Sequence, residues 1–142
     1  MSAALKTVSC EVLVVEDNPG DAYLIRHALH EALRCNVIVI DHGGAALSLL
    51  CSPQATWCPS LVVLDLNLPA VPGQEILKQL RARGRCPGTP VIICTSSTRE
   101  DELAAVRELG VSEIVAKGID LNDIRAVGLA AQRAIRDIWP PS

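Results

Sequence analysis

The chain contains one short segment that decides its fold, LVVLD at residues 61–65, in which four apolar residues end on the carboxylate of Asp65. An uninterrupted apolar run of this length is typical of a strand buried on both faces, as in a parallel sheet covered by helices. In open parallel sheets, ligands bind just beyond the carboxyl ends of the strands. The segment therefore predicts a covered parallel sheet with Asp65 at its ligand-binding edge.

Strand and helix patterns alternate on both sides of this segment. The predicted strands are residues 11–15, 36–40, 61–64, 91–94 and 114–116. Each is followed by apolar residues at helical spacing, and the predicted helices begin near Pro19, Gly44, Gly73, Glu100 and residue 121. Five alternating pairs imply an α/β fold, with a parallel sheet, right-handed crossovers and helices on both faces. A length of 142 residues fits one domain.

Composition narrows the class of protein. Apolar residues make up 49% of the chain while Phe is absent, which predicts an aliphatic core. A net charge of −3 argues against a nucleic-acid surface. The sequence shows no apolar stretch long enough for a signal peptide or a membrane span. We therefore expect a soluble cytoplasmic protein without a membrane or nucleic-acid partner.

The six cysteines are spaced irregularly and form no CxxC pair. A zinc site would need closer pairing. Because no export signal points to an oxidising compartment, we expect free thiols, with Cys94 as a small core residue on a strand.

Polar side chains follow four of the five predicted strands. Glu16 and Asp17 follow the first, Asp65 the third, Thr95 the fourth and Lys117 the fifth. Since the carboxyl ends of parallel strands meet at one edge, these groups should converge. Crowded carboxylates repel unless a cation neutralises them, and oxygen ligands of this kind suit Mg²⁺. A carboxylate nucleophile, a metal, a hydroxyl and an ammonium can together hold a transferring phosphoryl group, which predicts Asp65 as a phosphate acceptor.

A set of motifs across the chain resembles the receiver domain of bacterial two-component response regulators (CheY-like). These motifs are VVEDN at 14–18, LDLNLP at 64–69, Gly73, Thr95-Ser96 and Lys117. The segment VEDNPGDA at 15–22 further resembles small single-domain regulators that partner phytochrome kinases. The resemblance implies a flavodoxin-like strand order of 2-1-3-4-5. Its extent implies an N-terminal extension at 1–8, a receiver domain at 9–138 and a tail at 139–142. Because the last predicted helix runs into Pro140 and Pro141, we expect no effector domain.

The resemblance also implies the chemistry of the site. Asp65 would accept a phosphoryl group from a phosphohistidine on a sensor histidine kinase, in a reaction that depends on Mg²⁺. Asp17 and Asp65 would ligate the metal, with Glu16 acting through water and Asn67 offering its backbone carbonyl. Such a protein catalyses its own phosphotransfer and dephosphorylation and is not a separate turnover enzyme.

The remaining site residues take their implied roles from the same family. Thr95 would hydrogen-bond the phosphoryl oxygen and shift toward it, while Lys117 would pair with the phosphoryl group. The small Ser96 would leave the acceptor accessible, and Ser97, with Asn67, would tune the lifetime of the phosphoaspartate.

Two positions depart from the family pattern. The family usually has proline where this chain has Gly118. Without proline a cis bond costs about 3 kcal/mol, so we expect a trans Lys117–Gly118 bond or an alternative loop shape. The family often has an aromatic residue at the position of Ile114, so another reporter is needed to transmit the signal.

We expect output through the surface of the fourth helix, fifth strand and fifth helix, where Leu129 and Trp139 are candidates to seat a homodimer.

Three alternatives remain at this point. A haloacid-dehalogenase-type phosphatase needs a second acid two residues after its nucleophile, and that position here is Asn67. A flavodoxin-like electron carrier needs a hydroxyl-rich phosphate loop and aromatic residues around the flavin, whereas this chain has Glu16 and Asp17 after the first strand. A pseudo-receiver would keep the fold and serve only as an interaction module without phosphorylation.

Overall fold

The computed structural model describes residues 10–118 and 121–138. The strands are β1 (Glu11–Val15), β2 (Asn36–Ile40), β3 (Leu61–Leu64), β4 (Val91–Thr95) and β5 (Glu113–Ala116). The helices are α1 (Pro19–Ala32), α2 (Gly43–Cys51), α3 (Gly73–Ala82), α4 (Glu100–Glu108) and α5 (Leu121–Ile138). The expected N-terminal extension, Trp139 and the tail lie outside the described residues.

The sheet has the strand order β2-β1-β3-β4-β5, and every pairing is parallel. This confirms the predicted topology. The strands differ from prediction by one residue at two ends: Thr95 belongs to β4 because it pairs with Ala116, and Glu113 belongs to β5 because it pairs with Ile92.

The central strands bury side chains on both faces, as the apolar run at 61–64 predicts. Leu61 and Val63 face a core formed with α1 and α5. Val62 and Leu64 face the other core, formed with α2, α3 and the buried Val106 of α4. Because successive strand residues point to opposite faces, one short strand serves both cores and ends with Asp65 at the edge.

Local sequence signals fix the helix starts that flank this edge. Asn18 caps α1 by accepting a hydrogen bond from the backbone N–H of Asp21 at 2.9 Å, and Pro19 occupies the first turn. At the start of α3, a Cβ on Gly73 would overlap the carbonyl oxygen of Asp65. Glycine at position 73 therefore lets α3 begin directly against the backbone of the acceptor residue.

The prediction of free thiols is wrong for four of the six cysteines. Cys10 forms a disulfide with Cys35, and Cys58 forms one with Cys86. Cys10 and Cys35 each precede a strand, and because Glu11 pairs with Asn36 the two cysteines lie side by side, with Cα atoms 4.6 Å apart. This proximity is a product of strand pairing, so the spacing of cysteines along the chain did not reveal it.

Cys51 and Cys94 are buried free thiols. Cys94 is 1% exposed in β4, which confirms it as a core residue. Burial raises the pKa of its thiol to about 12, so the group is un-ionised and inert at neutral pH. In the described ranges 10–118 and 121–138, every helix is too short or too polar to span a lipid bilayer.

Candidate functional site

The polar residues predicted to converge do lie at one edge of the sheet. Glu16 follows β1, Asp65 follows β3, Thr95 ends β4 and Lys117 follows β5. Backbone hydrogen bonds continue the ladder to these positions, from Asp65 N–H to the Val15 carbonyl at 3.1 Å and from Lys117 N–H to the Thr95 carbonyl at 2.8 Å. The site residues are therefore held by the sheet itself.

Three carboxylates form the centre of the site. One oxygen from each of Glu16, Asp17 and Asp65 lies within 4.8 Å of the others. Glu16 and Asp65 are buried, whereas Asp17 is exposed. A set of hard oxygen donors that is open on one side fits a divalent cation that keeps several waters, so the residues present suit Mg²⁺ or a similar ion.

Lys117 places its ammonium among these carboxylates. Its Nζ lies 3.1 Å from Oδ2 of Asp65, and it also forms an ion pair with Oε1 of Glu16. The Lys117 side chain is only 8% exposed. Burial by itself would lower the pKa of Lys117, but the hydrogen bond to Glu16 and the negative charge of Asp65 outweigh it and raise that pKa above its ordinary value.

Glu16 is the most deeply buried acid of the cluster, at 1% exposure. Burial raises the pKa of its carboxyl, the hydrogen bond from Lys117 opposes this, and the charge of Asp65 raises it further. Together these effects raise the pKa of Glu16 above its ordinary value. A cation at this site would offset the repulsion between Glu16 and Asp65.

Asn67 links the acceptor to the threonine. Its backbone N–H donates to Oδ1 of Asp65 at 3.2 Å, and its side-chain Nδ2 donates to Oγ1 of Thr95 at 3.4 Å. Oγ1 of Thr95 also accepts a hydrogen bond from the backbone N–H of Ser97 at 3.2 Å. Thr95 is 1% exposed, whereas Ser96 is exposed beside it.

The two departures from the family pattern are both visible in the structure. Within residues 10–118 and 121–138 no peptide bond is cis, so the expected trans Lys117–Gly118 bond is confirmed. A Cβ at Gly118 would overlap Oδ2 of Asp123, so the side chain of Asp123 occupies the space that a residue larger than glycine would need. Ile114 is half-buried and packs against the core formed with α2, α3 and α4.

Leu129 lies elsewhere than expected. It is 58% exposed, but it lines a groove between α1 and α5 together with Ala28 and Ala32. It therefore lies on the α1 side of α5 and away from the surface that α5 shares with α4 and β5. Its role as a seat for a dimer on that surface is not supported by this position.

Sequence reasoning missed one residue of the site, Asp21. Its Oδ2 lies 3.2 Å from Nζ of Lys117. Asp21 sits in the first turn of α1, where an acid is ordinary helix chemistry, so nothing in the sequence separated it from a surface residue.

Comparison with known proteins agrees with this geometry. The model of the response regulator receiver domain family matches residues 12–127. The response regulator Rcp1 of Synechocystis sp. is 30% identical over 117 residues, which cover 80% of this chain and 80% of Rcp1.

Solved structures give the same result. The crystal structure of the Mn(2+)-bound form of Rcp1 has a TM-score of 0.75 at 29% identity and covers 92% of this chain and 94% of that one. The structure of the phosphorylated cyanobacterial phytochrome response regulator RcpA also has a TM-score of 0.75, at 26% identity, with 92% and 94% coverage. The match over residues 12–127 shows that the chain belongs to the family of response regulator receiver domains, and its strand order and its cluster of Glu16, Asp17 and Asp65 agree with this.

Proposed function

We propose that Asp65 is the residue that accepts the phosphoryl group expected of this family. The observation that carries the proposal is the position of its carboxylate, which belongs to the cluster of Glu16, Asp17 and Asp65 and also lies 3.1 Å from the Lys117 ammonium. An oxygen of Asp65 would attack the phosphorus of a phosphohistidine, the P–N bond would break, and the product would be an acyl phosphate on Asp65. The histidine nitrogen would leave with the electron pair of that bond.

The cation proposed for this step is Mg²⁺. Glu16, Asp17 and Asp65, with the backbone carbonyl of Asn67, are the groups that would hold it, Glu16 through water. The cation supplies positive charge that offsets the carboxylates and the incoming phosphoryl oxygens. The Mn(2+)-bound form of Rcp1 supports a divalent cation in this family.

The chain's own residues would hold the phosphoryl group in place. Lys117 would pair with one phosphoryl oxygen, as its contact with Asp65 already places it at the reacting carboxylate. Thr95 would donate its hydroxyl to another after leaving Asn67. Ser96 leaves access to the acceptor open, and Ser97 would tune the lifetime of the product through its contact with Thr95.

The proposed partner is a sensor histidine kinase in the cytoplasm, of the phytochrome type. The similarity to RcpA, a phytochrome response regulator, supports this narrower choice. The chain would act as a phosphorylated signalling module and would not turn over free substrate. The proposal includes neither nucleic acid nor a membrane as a partner.

Output would pass through the surface of α4, β5 and α5 and would change partner binding or self-association, including a homodimer. The movement of Thr95 toward the phosphoryl group would pull the loop that leads into α4. Ile114 stands where an aromatic residue is usual and packs against the core formed with α2, α3 and α4, so another residue of this surface would have to report the movement.

Incubation with Mg²⁺ and acetyl phosphate, followed by intact mass measurement, tests the acceptor function. We expect one added phosphoryl group in the wild-type chain and none in Asp65→Asn. No adduct with this donor or with a phosphorylated histidine kinase would favour the pseudo-receiver. Continuous release of phosphate from simple monoesters would favour the phosphatase, although Asn67 stands where that enzyme needs a second acid.

A further inference from the structure

Lys117 has a third carboxylate partner besides the two in the cluster. Nζ of Lys117 lies 3.2 Å from Oδ2 of Asp21, and the Asp21 side chain is 34% exposed. The backbone of Asp21 is fixed, because its N–H donates to the Asn18 cap at 2.9 Å. The carboxylate is therefore presented to the ammonium from the first turn of α1.

This partner differs from the other two in one respect. Glu16 and Asp65 belong to the group of oxygens within 4.8 Å of one another that suits a cation, and Asp21 does not. A cation at the cluster would compete with the ammonium for Glu16 and Asp65. Asp21 is the partner of Lys117 that such a cation would leave free.

We propose that Asp21 is a positioning residue for phosphoryl transfer, which holds the Lys117 ammonium beside Asp65 when the cation occupies the cluster. This inference rests on the proposed function of Asp65. Lysine carries its charge on a flexible four-carbon stem, so an unanchored ammonium would sample many positions. Anchoring by Asp21 keeps Nζ where the charge of the transferring group develops, which is the preorganisation that makes such contacts effective.

Asp21 could also act in two other ways, by stabilising α1 or by placing negative charge near the site, and both predict other results than an anchor for Lys117. An acid in the first turn stabilises a helix by its interaction with the helix dipole, which would affect stability and leave transfer unchanged. A negative charge at the rim repels an anionic phosphodonor, and this effect would act without Lys117. Asp41 provides a matched control for charge and location. It is exposed and lines a second groove, which also contains Glu16 and Asp17. Among the described residues it forms no ion pair with Lys117.

The first experiment is a double-mutant cycle on the rate of phosphorylation by acetyl phosphate at saturating Mg²⁺. Loss of the anchor in Asp21→Asn should slow the reaction roughly three- to tenfold, about the effect of losing one charge-assisted contact. Asp41→Asn should change it less than about twofold because a screened rim charge has little effect. In a Lys117→Met background, Asp21→Asn should cause no further slowing, and Asp21→Glu should restore part of the rate in the Lys117 protein.

The second experiment observes the ammonium directly. In the unphosphorylated protein with Mg²⁺, the side-chain NH₃⁺ resonance of Lys117, identified by its absence in Lys117→Met, should shift or broaden in Asp21→Asn and stay unchanged in Asp41→Asn. An unchanged resonance in Asp21→Asn, or equal slowing by Asp21→Asn with and without Lys117, overturns the proposal. If the wild-type chain forms no adduct at all, the acceptor function fails, and the resonance still decides whether Asp21 anchors Lys117.

Discussion

Asn67 donates a hydrogen bond from Nδ2 to Oγ1 of Thr95 at 3.4 Å while its backbone N–H donates to Oδ1 of Asp65. Asn67 therefore bridges the acceptor and the residue expected to move on phosphorylation. A shift of Thr95 toward a phosphoryl oxygen would break its contact with Asn67. Phosphorylation of Asp65 is therefore coupled to the release of the Asn67 side chain.

Replacement of Asn67 by alanine should shorten the lifetime of the phosphoaspartate. Once Thr95 has moved away, the exposed Asn67 side chain would be free to donate to the phosphoryl group and to shield it from water. Loss of about one such hydrogen bond corresponds to roughly a fivefold change in rate. Decay of the adduct after removal of the donor, followed by intact mass, measures this. A lifetime equal to that of the wild-type chain would show that Asn67 has no shielding role.

Glu16 should make the metal-free protein lose stability as the pH rises. Its folded-state pKa is raised, mainly by burial, from 4.5 to about 7, so the folded state binds a proton more tightly than the unfolded state between these values. The free energy of unfolding should therefore fall as the pH rises from about 4.5 to about 7. Urea denaturation in the presence of a chelator measures the fall, and Glu16→Gln should reduce it. If the free energy of unfolding changed with pH equally in the wild-type chain and in Glu16→Gln, the raised pKa of Glu16 would be contradicted.

Gly73 should tolerate no side chain. A Cβ at this position would overlap the carbonyl oxygen of Asp65, so Gly73→Ala must displace α3 or the acceptor residue. We expect a loss of about 1–3 kcal/mol in the free energy of unfolding, as for other overpacked sites, together with weaker Mg²⁺ binding. Gly88→Ala is the control, because nothing lies within 4 Å of a Cβ there. Equal behaviour of the two variants in denaturation and metal titration would refute the close approach.

The two disulfides should each stabilise the fold. They join cysteines separated by 25 and 28 residues, and closed loops of this size correspond to about 3.5 kcal/mol. Replacement of Cys10 and Cys35 by serine should lower the free energy of unfolding by about that amount, whereas Cys51→Ser, at a free thiol, serves as the comparison that breaks no bridge. Thiol counting under denaturing, non-reducing conditions should find the two free thiols Cys51 and Cys94. Reactivity of all the cysteines would contradict the pairing.

The fold was predictable because its signals are local. The apolar run at 61–64 and the cap at Asn18 each act within a few residues, and alternation of strands and helices leaves few topologies open. The convergence of Glu16, Asp65 and Lys117 was also predictable, since parallel strands end at one edge. The contact of Asp21 with Lys117 was not, because Asp21 lies in the first turn of α1 and not at a strand end, so the contact depends on side-chain reach.

The disulfides escaped prediction for a related reason. The pairing of Cys10 with Cys35 follows from the register of β1 and β2, which the sequence does not state. The position of Leu129 likewise depends on how α5 turns against α1, and one exposed leucine carries no sign of the side on which it lies.

The most direct test of Asp65 as the acceptor locates the phosphoryl group on the chain. Borohydride reduces an acyl phosphate on aspartate to homoserine, so treatment of the phosphorylated protein, digestion and peptide mass spectrometry identify the acceptor. We predict homoserine at position 65 and nowhere else, with Asp17 and Glu16 unchanged. Homoserine at position 17, or a phosphorylated protein with Asp65 intact, would contradict this assignment.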